Sequence, residues 1–165
     1  PFIFGRGAEE MEYAAGFGLQ TAVVPGISSS MAVPASQNIP VTKRGSSESF
    51  WVITGTTKDH KISKDIALAA KSNATIVVLM GMRKLPEIIA LFQKEGKQDL
   101  PVAIIQDGTT SREKVGIGTV DTIVEIVKKQ SLSNPAIIVF GEVVRHKEIL
   151  NDIAVQHNEK QLICT

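Results

Sequence analysis

The segment Thr75-Ile76-Val77-Val78-Leu79-Met80 is a continuous apolar run that ends at Gly81. A run of this length without polar alternation is typical of a strand that is buried on both faces of a sheet. Residues 137–140, Ile-Ile-Val-Phe, form a second run of the same kind before Gly141. Together they predict an α/β domain in which helices cover both faces of a mostly parallel sheet.

Outward from residues 75–80, short apolar segments alternate with amphipathic segments on both sides. Towards the amino terminus, helix formers with early acidic residues predict a helix over residues 8–17, and β-branched residues predict a strand over 21–24. A hydroxyl of Ser28, Ser29 or Ser30 is expected to cap a helix that runs to about Gln37. Towards the carboxyl terminus, the pattern predicts strands at 50–54, 75–80, 102–106, 113–119 and 136–140, and helices at 64–71, 85–95 and 121–129.

Composition and charge narrow the class of protein. The 165 residues are 43% hydrophobic and carry a formal net charge of +1, so the chain has enough apolar material for a core and no strong field that would attract nucleic acid or membrane. No apolar run approaches the roughly 20 residues of a membrane span. Cys164 is the sole cysteine, which points to a reducing cytoplasm and leaves no partner for a disulfide or a metal site.

Glycines follow several predicted strands, among them Gly26, Gly81, Gly108 and Gly141. In a parallel sheet such turns share one edge, where open α/β sheets bind ligands. Structural turns in α/β proteins need glycine as well, so this pattern alone leaves both interpretations open. No Gly-x-Gly-x-x-Gly motif follows a strand, and the three histidines lack the spacing of a metal or catalytic cluster.

Six strings carry a family resemblance in their order and approximate spacing. The opening Pro1-Phe2-Ile3-Phe4-Gly5-Arg6-Gly7 resembles the end of the Gly-Asp-Pro-Phe-x-Phe-Gly-Arg-Gly signature of uroporphyrinogen-III C-methyltransferases, which are S-adenosylmethionine-dependent tetrapyrrole methylases. The other five strings are residues 24–29 (VPGISS), 39–45 (IPVTKRG), 78–82 (VLMGM), 106–110 (QDGTT) and 135–144 (PAIIVFGEVV).

The resemblance implies the tetrapyrrole methylase fold, with two α/β domains and the cofactor between them. Residues 1–40 would be the end of the amino-terminal domain, 41–49 a linker, 50–150 the carboxyl-terminal domain, and 151–165 a polar tail or an edge strand. The resemblance also implies a homodimer. The family's first-strand loop, Gly-x-Gly-Pro-Gly-Asp-Pro, and the Gly-Gly-Asp before the opening string are not in this sequence. We therefore expect the 165 residues alone to bind S-adenosylmethionine weakly and to be inactive.

The resemblance also implies which residues form the site. The positions that match cofactor-binding positions of the family are Ile3, Ser28, Ser29, Met80, Gly108 and Ala136. From the residues alone, Ser28 is equally a plain helix cap and Met80 is a strand-end core residue. No metal is implied.

The implied substrate residues are Arg6, Glu9 and Arg44. Guanidinium groups suit the acetate and propionate groups around a tetrapyrrole because they form paired, charge-assisted hydrogen bonds. Arg6 is also the implied catalytic position. Its role is positioning and electrostatics ahead of proton transfer, because a guanidinium with a pKa above about 12 is a poor base.

The implied activity is the methylation of uroporphyrinogen III at C2 and C7, which gives precorrin-2 for sirohaem or cobalamin and leaves S-adenosylhomocysteine. One alternative is a precorrin methyltransferase of the same fold that acts later in cobalamin synthesis. The other is a non-catalytic dimerisation or ligand-binding domain.

Overall fold

The structure is a computed structural model that describes residues 1–150, 152 and 153. Its strands are β1 (Phe50–Thr54), β2 (Thr75–Leu79), β3 (Pro101–Gln106), β4 (Lys114–Thr119) and β5 (Ala136–Phe140). Its helices are α1 (Gly7–Gly16), α2 (Ser29–Ser36), α3 (Asp65–Lys71), α4 (Leu85–Lys94) and α5 (Ile123–Gln130), with short 3₁₀ turns at Met82–Lys84 and Glu142–Val144. Residues 145–150 are helical. The predicted elements of residues 50–140 are confirmed to within two residues at each end.

The strand directions differ from the prediction. The described residues form a mixed α/β fold with a five-stranded sheet in the order β1-β2-β5-β3-β4. Only β1 and β2 are parallel, whereas β5 runs antiparallel to both β2 and β3, and β3 runs antiparallel to β4. The expectation of a mostly parallel sheet was therefore wrong. An apolar run indicates burial on both faces, but it carries no information on direction.

Burial on both faces of the sheet is confirmed. Successive side chains of a strand point to opposite faces, so Ile76 and Val78 join the core under α3, α4 and α5, while Val77 joins the core beside α2. The α4 face is closed by Phe92, whose ring stacks on Phe140 with centroids 4.1 Å apart. The α2 face is closed by Val33 and Ile39 together with Val139, Val143 and Val144.

The first 28 residues pack differently from the rest. Helix α1 has no buried residue, and residues 21–24 are not a strand, contrary to the prediction. A strand requires a neighbour for its backbone hydrogen bonds, and residues 21–24 have none among the described residues. The division into residues 1–40, 41–49 and 50–150 stays a prediction. Of the predicted tail 151–165, only 152 and 153 are described, so the edge strand proposed for it lies outside the described residues.

Membrane crossing can be judged from helix length and polarity. Across residues 1–150, 152 and 153, no helix is both long enough and apolar enough to span a membrane.

Candidate functional site

A cavity of about 430 Å³ opens at one edge of the sheet. The carboxyl ends of β2 and β3 meet there, and the amino end of β5 joins them because β5 is antiparallel to both. Gly108 follows β3 at this edge, whereas Gly141 follows the opposite end of β5. The expectation that all the strand-end glycines share one edge was therefore wrong for Gly141, and the strand directions are the reason.

Five of the six predicted cofactor positions line this cavity: Ile3, Ser29, Met80, Gly108 and Ala136. The sixth, Ser28, is not among the lining residues. Its hydroxyl caps α2 by accepting the backbone N–H of Ser30 at 3.2 Å, so the predicted cap is confirmed. The binding roles of all six residues stay predictions.

Gly108 lies where the loop after β3 presses against α2. A Cβ atom on Gly108 would lie 2.4 Å from Cγ1 and 2.8 Å from Cγ2 of Val33, closer than real Cβ contacts allow. Glycine is therefore the residue that lets the backbone of this loop reach the cavity.

Hydrogen bonds hold the same loop in a strained conformation. Asp107 and Thr109 have positive φ angles of 48° and 66°, which are unfavourable for residues with side chains. Glu113 accepts the backbone N–H of Thr109 at 2.7 Å, and the same carboxylate accepts a hydrogen bond from the side-chain amide of Gln37, which ends α2. Glu113 therefore ties the loop to the helix that forms the opposite wall.

Met80 also adopts an unusual backbone conformation, with a φ of 56°. Met80 is 52% exposed, so it is not the strand-end core residue that its sequence context allows. The hydroxyl of Thr56 donates to the carbonyl of Met80 at 3.0 Å. The backbone is therefore fixed while the thioether remains free to contact a ligand.

Of the predicted substrate residues, Arg6 is close in sequence to the part of the opening loop that lines this cavity. Ile3 and Phe4 line the cavity, and Arg6 follows them as the residue that precedes α1. The glycines on either side of Arg6 permit the tight turn, because a Cβ at Gly5 or Gly7 would lie 2.7 or 2.9 Å from the carbonyl oxygen of Pro1.

The three predicted substrate residues are all exposed and none lines the cavity. Glu9 lies in the first turn of α1, close to Arg6 in sequence. Arg44 lies in a turn closed by Lys43 and Ser47, and Ser47 hydrogen-bonds Thr75 at the start of β2. Met80 follows the other end of that strand, so the structure does not bring Arg44 to the cavity. A role for Arg44 stays a prediction.

Sequence reasoning missed several lining residues. Leu79, Ile105 and Ile137 supply apolar wall, while Asp107 and Thr110 supply polar groups. The apolar ones could have been found as strand-end positions, but the Glu113 contact depends on tertiary structure and has no sequence signal. Apolar walls with a few convergent polar groups suit a ligand that has both a flat apolar ring and polar substituents.

A second cavity, of about 480 Å³, lies at the opposite end of the sheet beside Lys97 and Arg145. Burial lowers the pKa of Lys97, opposed by the nearby charge of Glu95. The Lys97 ammonium donates to the carbonyl of Ser72. Within the described part of the chain, no group of three or more His, Cys, Asp or Glu side chains is arranged to hold a metal ion.

Curated relatives share much of this sequence. The chain is 43% identical over 147 residues to the uroporphyrinogen-III C-methyltransferase of Priestia megaterium, covering 87% of this chain and 61% of that protein. It is 41% identical over 146 residues to the enzyme of the same name from Methanocaldococcus jannaschii, covering 87% and 60%. The siroheme synthase of Methylobacillus flagellatus is 40% identical over 151 residues, 91% of this chain and 32% of that protein. The chain thus spans from about a third to about three-fifths of the length of these relatives.

A solved structure has the same fold. The uroporphyrin-III C-methyltransferase of Thermus thermophilus, complexed with S-adenosylhomocysteine, matches with a TM-score of 0.74 and 28% identity, over 88% of this chain and 63% of that one. The sequence profile described as Tetrapyrrole (Corrin/Porphyrin) Methylases matches residues 1–124. That match covers most of the chain, and the chain therefore belongs to the tetrapyrrole methylase family.

Proposed function

We propose that this chain forms the larger part of an S-adenosylmethionine-dependent methyltransferase that converts uroporphyrinogen III to precorrin-2 by methylation at C2 and C7. The observation that carries the proposal is the cavity at the end of β2 and β3, which gathers Ile3, Ser29, Met80, Gly108 and Ala136. Relatives at about 40% identity that are named for this reaction support it.

The cavity suits the cofactor in size and chemistry. Its volume of about 430 Å³ lies in the range of small-molecule sites. Leu79, Ile105 and Ile137 provide an apolar slot for a purine ring, and the bare backbone at Gly108 offers close hydrogen-bonding groups. Ser29 and Asp107 add polar groups for the ribose or the amino-acid end.

The chain's own contribution to the reaction is alignment. S-adenosylmethionine supplies the activated methyl group when it is bound. Met80 and the loop at Gly108 hold the cofactor. Arg6 in the opening loop and Glu9 in the first turn of α1 orient the tetrapyrrole. The two reactants are thereby held in one fixed geometry. Arg6 binds carboxylate and stabilises charge. The same carboxylate-binding role for Arg44 rests on the family resemblance alone, because Arg44 lies at the opposite end of β2 from Met80.

Two alternatives are less well supported. Cobalt precorrin-4 methyltransferase shares the fold with a TM-score of 0.74, but at 20% identity the similarity shows the fold alone and not the substrate. A non-catalytic role has no specific observation in its favour. A homodimer and a cytoplasmic location belong to the proposal on the strength of the family resemblance.

The proposal is tested in a hybrid protein, in which this chain is joined to the part of the Priestia megaterium relative that it does not span. We expect the hybrid to transfer methyl groups from S-adenosylmethionine to uroporphyrinogen III, with precorrin-2 as the product detected by mass spectrometry. Methylation of a precorrin but not of uroporphyrinogen III would favour the first alternative. Binding of cofactor or tetrapyrrole without any transfer would favour the second.

A further inference from the structure

A third cavity, of about 510 Å³, adjoins the cofactor cavity on the other side of Met80. Its walls come from the loop after β1 and from the 3₁₀ turn after β2, and Asn134 also lines it. Met80 belongs to both cavities, so a ligand that fills one reaches the wall of the other.

The lining of this cavity is basic. Lys58, His60 and Arg83 all contribute to it, and no carboxylate does. Asp59, which lies between Lys58 and His60 in sequence, is exposed and is not among the lining residues. In the described part of the chain the side chains of Lys58 and Arg83 form no ion pair with an acidic residue.

The loop that carries Lys58 and His60 is held in place by hydrogen bonds. The backbone N–H and the hydroxyl of Thr57 both donate to the carbonyl of Lys61, at 2.8 and 3.1 Å, and the hydroxyl of Thr56 donates to Met80. His60 has a positive φ of 58° inside this turn. Lys58 and His60 are therefore presented from a closed loop beside the cofactor cavity, and Arg83 from the 3₁₀ turn after β2.

We propose that Lys58, His60 and Arg83 form a carboxylate-binding subsite for the substrate. The inference rests on the proposed function, because a tetrapyrrole that places its reacting carbon beside Met80 would direct rim carboxylates into this neighbouring cavity. Arg83 provides a guanidinium fork for one carboxylate, and Lys58 provides a point charge for the same or the next one. The imidazole of His60 adds an N–H donor.

The test measures binding of uroporphyrin III, the stable oxidised form of the substrate, to the 165-residue chain by porphyrin fluorescence. Lys58→Gln and Arg83→Gln are each expected to weaken binding about fivefold, and the double variant about twentyfold, because each removes a charge-assisted contact. Lys94→Gln, at the end of α4, makes the same charge change outside the cavity and serves as the matched control. For coproporphyrin III, which carries fewer carboxylates, the same variants should show a smaller loss of affinity.

The carboxylate of the cofactor is the other group that these cations could bind. The binding of S-adenosylhomocysteine is therefore measured on the same variants through amide chemical shifts. The subsite proposal expects that binding to be unchanged. Weaker cofactor binding with unchanged uroporphyrin binding would assign the cavity to the cofactor and overturn the proposal. If Lys58→Gln and Arg83→Gln bound uroporphyrin as tightly as Lys94→Gln, the subsite proposal would be overturned and the proposed function would stand. A chain that binds neither ligand would count against both.

Discussion

At the scale of single residues, the absence of a side chain at Gly108 lets the loop after β3 lie against α2 beside the proposed cofactor cavity. Gly108→Ala would place a methyl group 2.4 Å from Cγ1 of Val33, and relief of this overlap would push the loop away from α2. Overpacking of this kind costs about 1–3 kcal/mol, so we expect the hybrid protein to bind S-adenosylhomocysteine about tenfold more weakly in calorimetry.

Two controls separate this overlap from a general effect of alanine. Gly26→Ala meets no atom within 4 Å and should leave affinity unchanged. The double variant Gly108→Ala, Val33→Ala removes the two methyl groups of Val33 and should recover most of the binding. A double variant that binds no better than Gly108→Ala would contradict the steric account.

Substitutions of Met80 and of the two arginines, Arg6 and Arg44, are expected to affect different measurements. Met80→Glu would place a charge without a partner in an apolar slot and should weaken S-adenosylhomocysteine binding to the hybrid protein directly. Arg6→Ala and Arg44→Ala should each leave that affinity nearly intact and lower turnover of uroporphyrinogen III about tenfold, the effect of losing about 1.5 kcal/mol of charge-assisted contact. Full activity of the Arg6→Ala, Arg44→Ala double variant would remove these arginines from the substrate site.

At this scale the family resemblance named many of the residues that line the candidate cavity, because its strings match the family's motifs position by position; their binding roles stay predictions. Ile3, Met80 and Gly108 were identified in this way, and the structure places them around one cavity. The basic cavity at Lys58 and Arg83 was not predicted. Its residues come from segments more than 20 positions apart in the sequence, and only the pairing of β1 with β2 brings those segments together.

At the scale of helices and strands, the stacked pair Phe92 and Phe140 joins α4 to the centre of the sheet. Both rings are fully buried, with planes only 6° apart. Phe92→Ala is expected to lower the free energy of unfolding by about 3–5 kcal/mol, measured by denaturant titration. Phe17→Ala, at a residue that is 69% exposed, is the matched control and should cost less than about 1 kcal/mol. Equal losses for the two variants would show that the α4 face is not the main core.

Element positions were well predicted from residue 50 onwards, and strand directions were not. Apolar runs and helix-capping residues are local signals, so they locate β1, β2 and β5 without reference to the rest of the chain. Direction depends on which strands become neighbours, and β5 inserts between β2 and β3 although it follows both in sequence. Residues 21–24 show the converse case: their strand propensity is clear, but no neighbouring strand is present among the described residues.

At the scale of the whole molecule, the core lies almost entirely in residues 29–144. Helix α1 buries no residue, while Val33 and Ile39 are buried against the sheet. Deletion of residues 1–24 should therefore change the free energy of unfolding by less than about 1 kcal/mol, as measured by denaturant titration. Deletion through residue 40 should cost several kcal/mol, because it exposes the valine-rich face that α2 covers. A large loss from the shorter deletion would show that the first helix is part of the same core.

The central claim is that the cavity at the end of β2 and β3 binds the S-adenosyl cofactor. Titration of the isotope-labelled chain with S-adenosylhomocysteine, followed by backbone amide chemical shifts, tests it most directly because this measurement detects weak binding and locates it. We predict saturable shifts concentrated at Ser29, Met80, Gly108 and Ala136, with little change around Lys97 at the opposite end of the sheet. Shifts centred on the Lys97 cavity, or none at millimolar ligand, would contradict the claim.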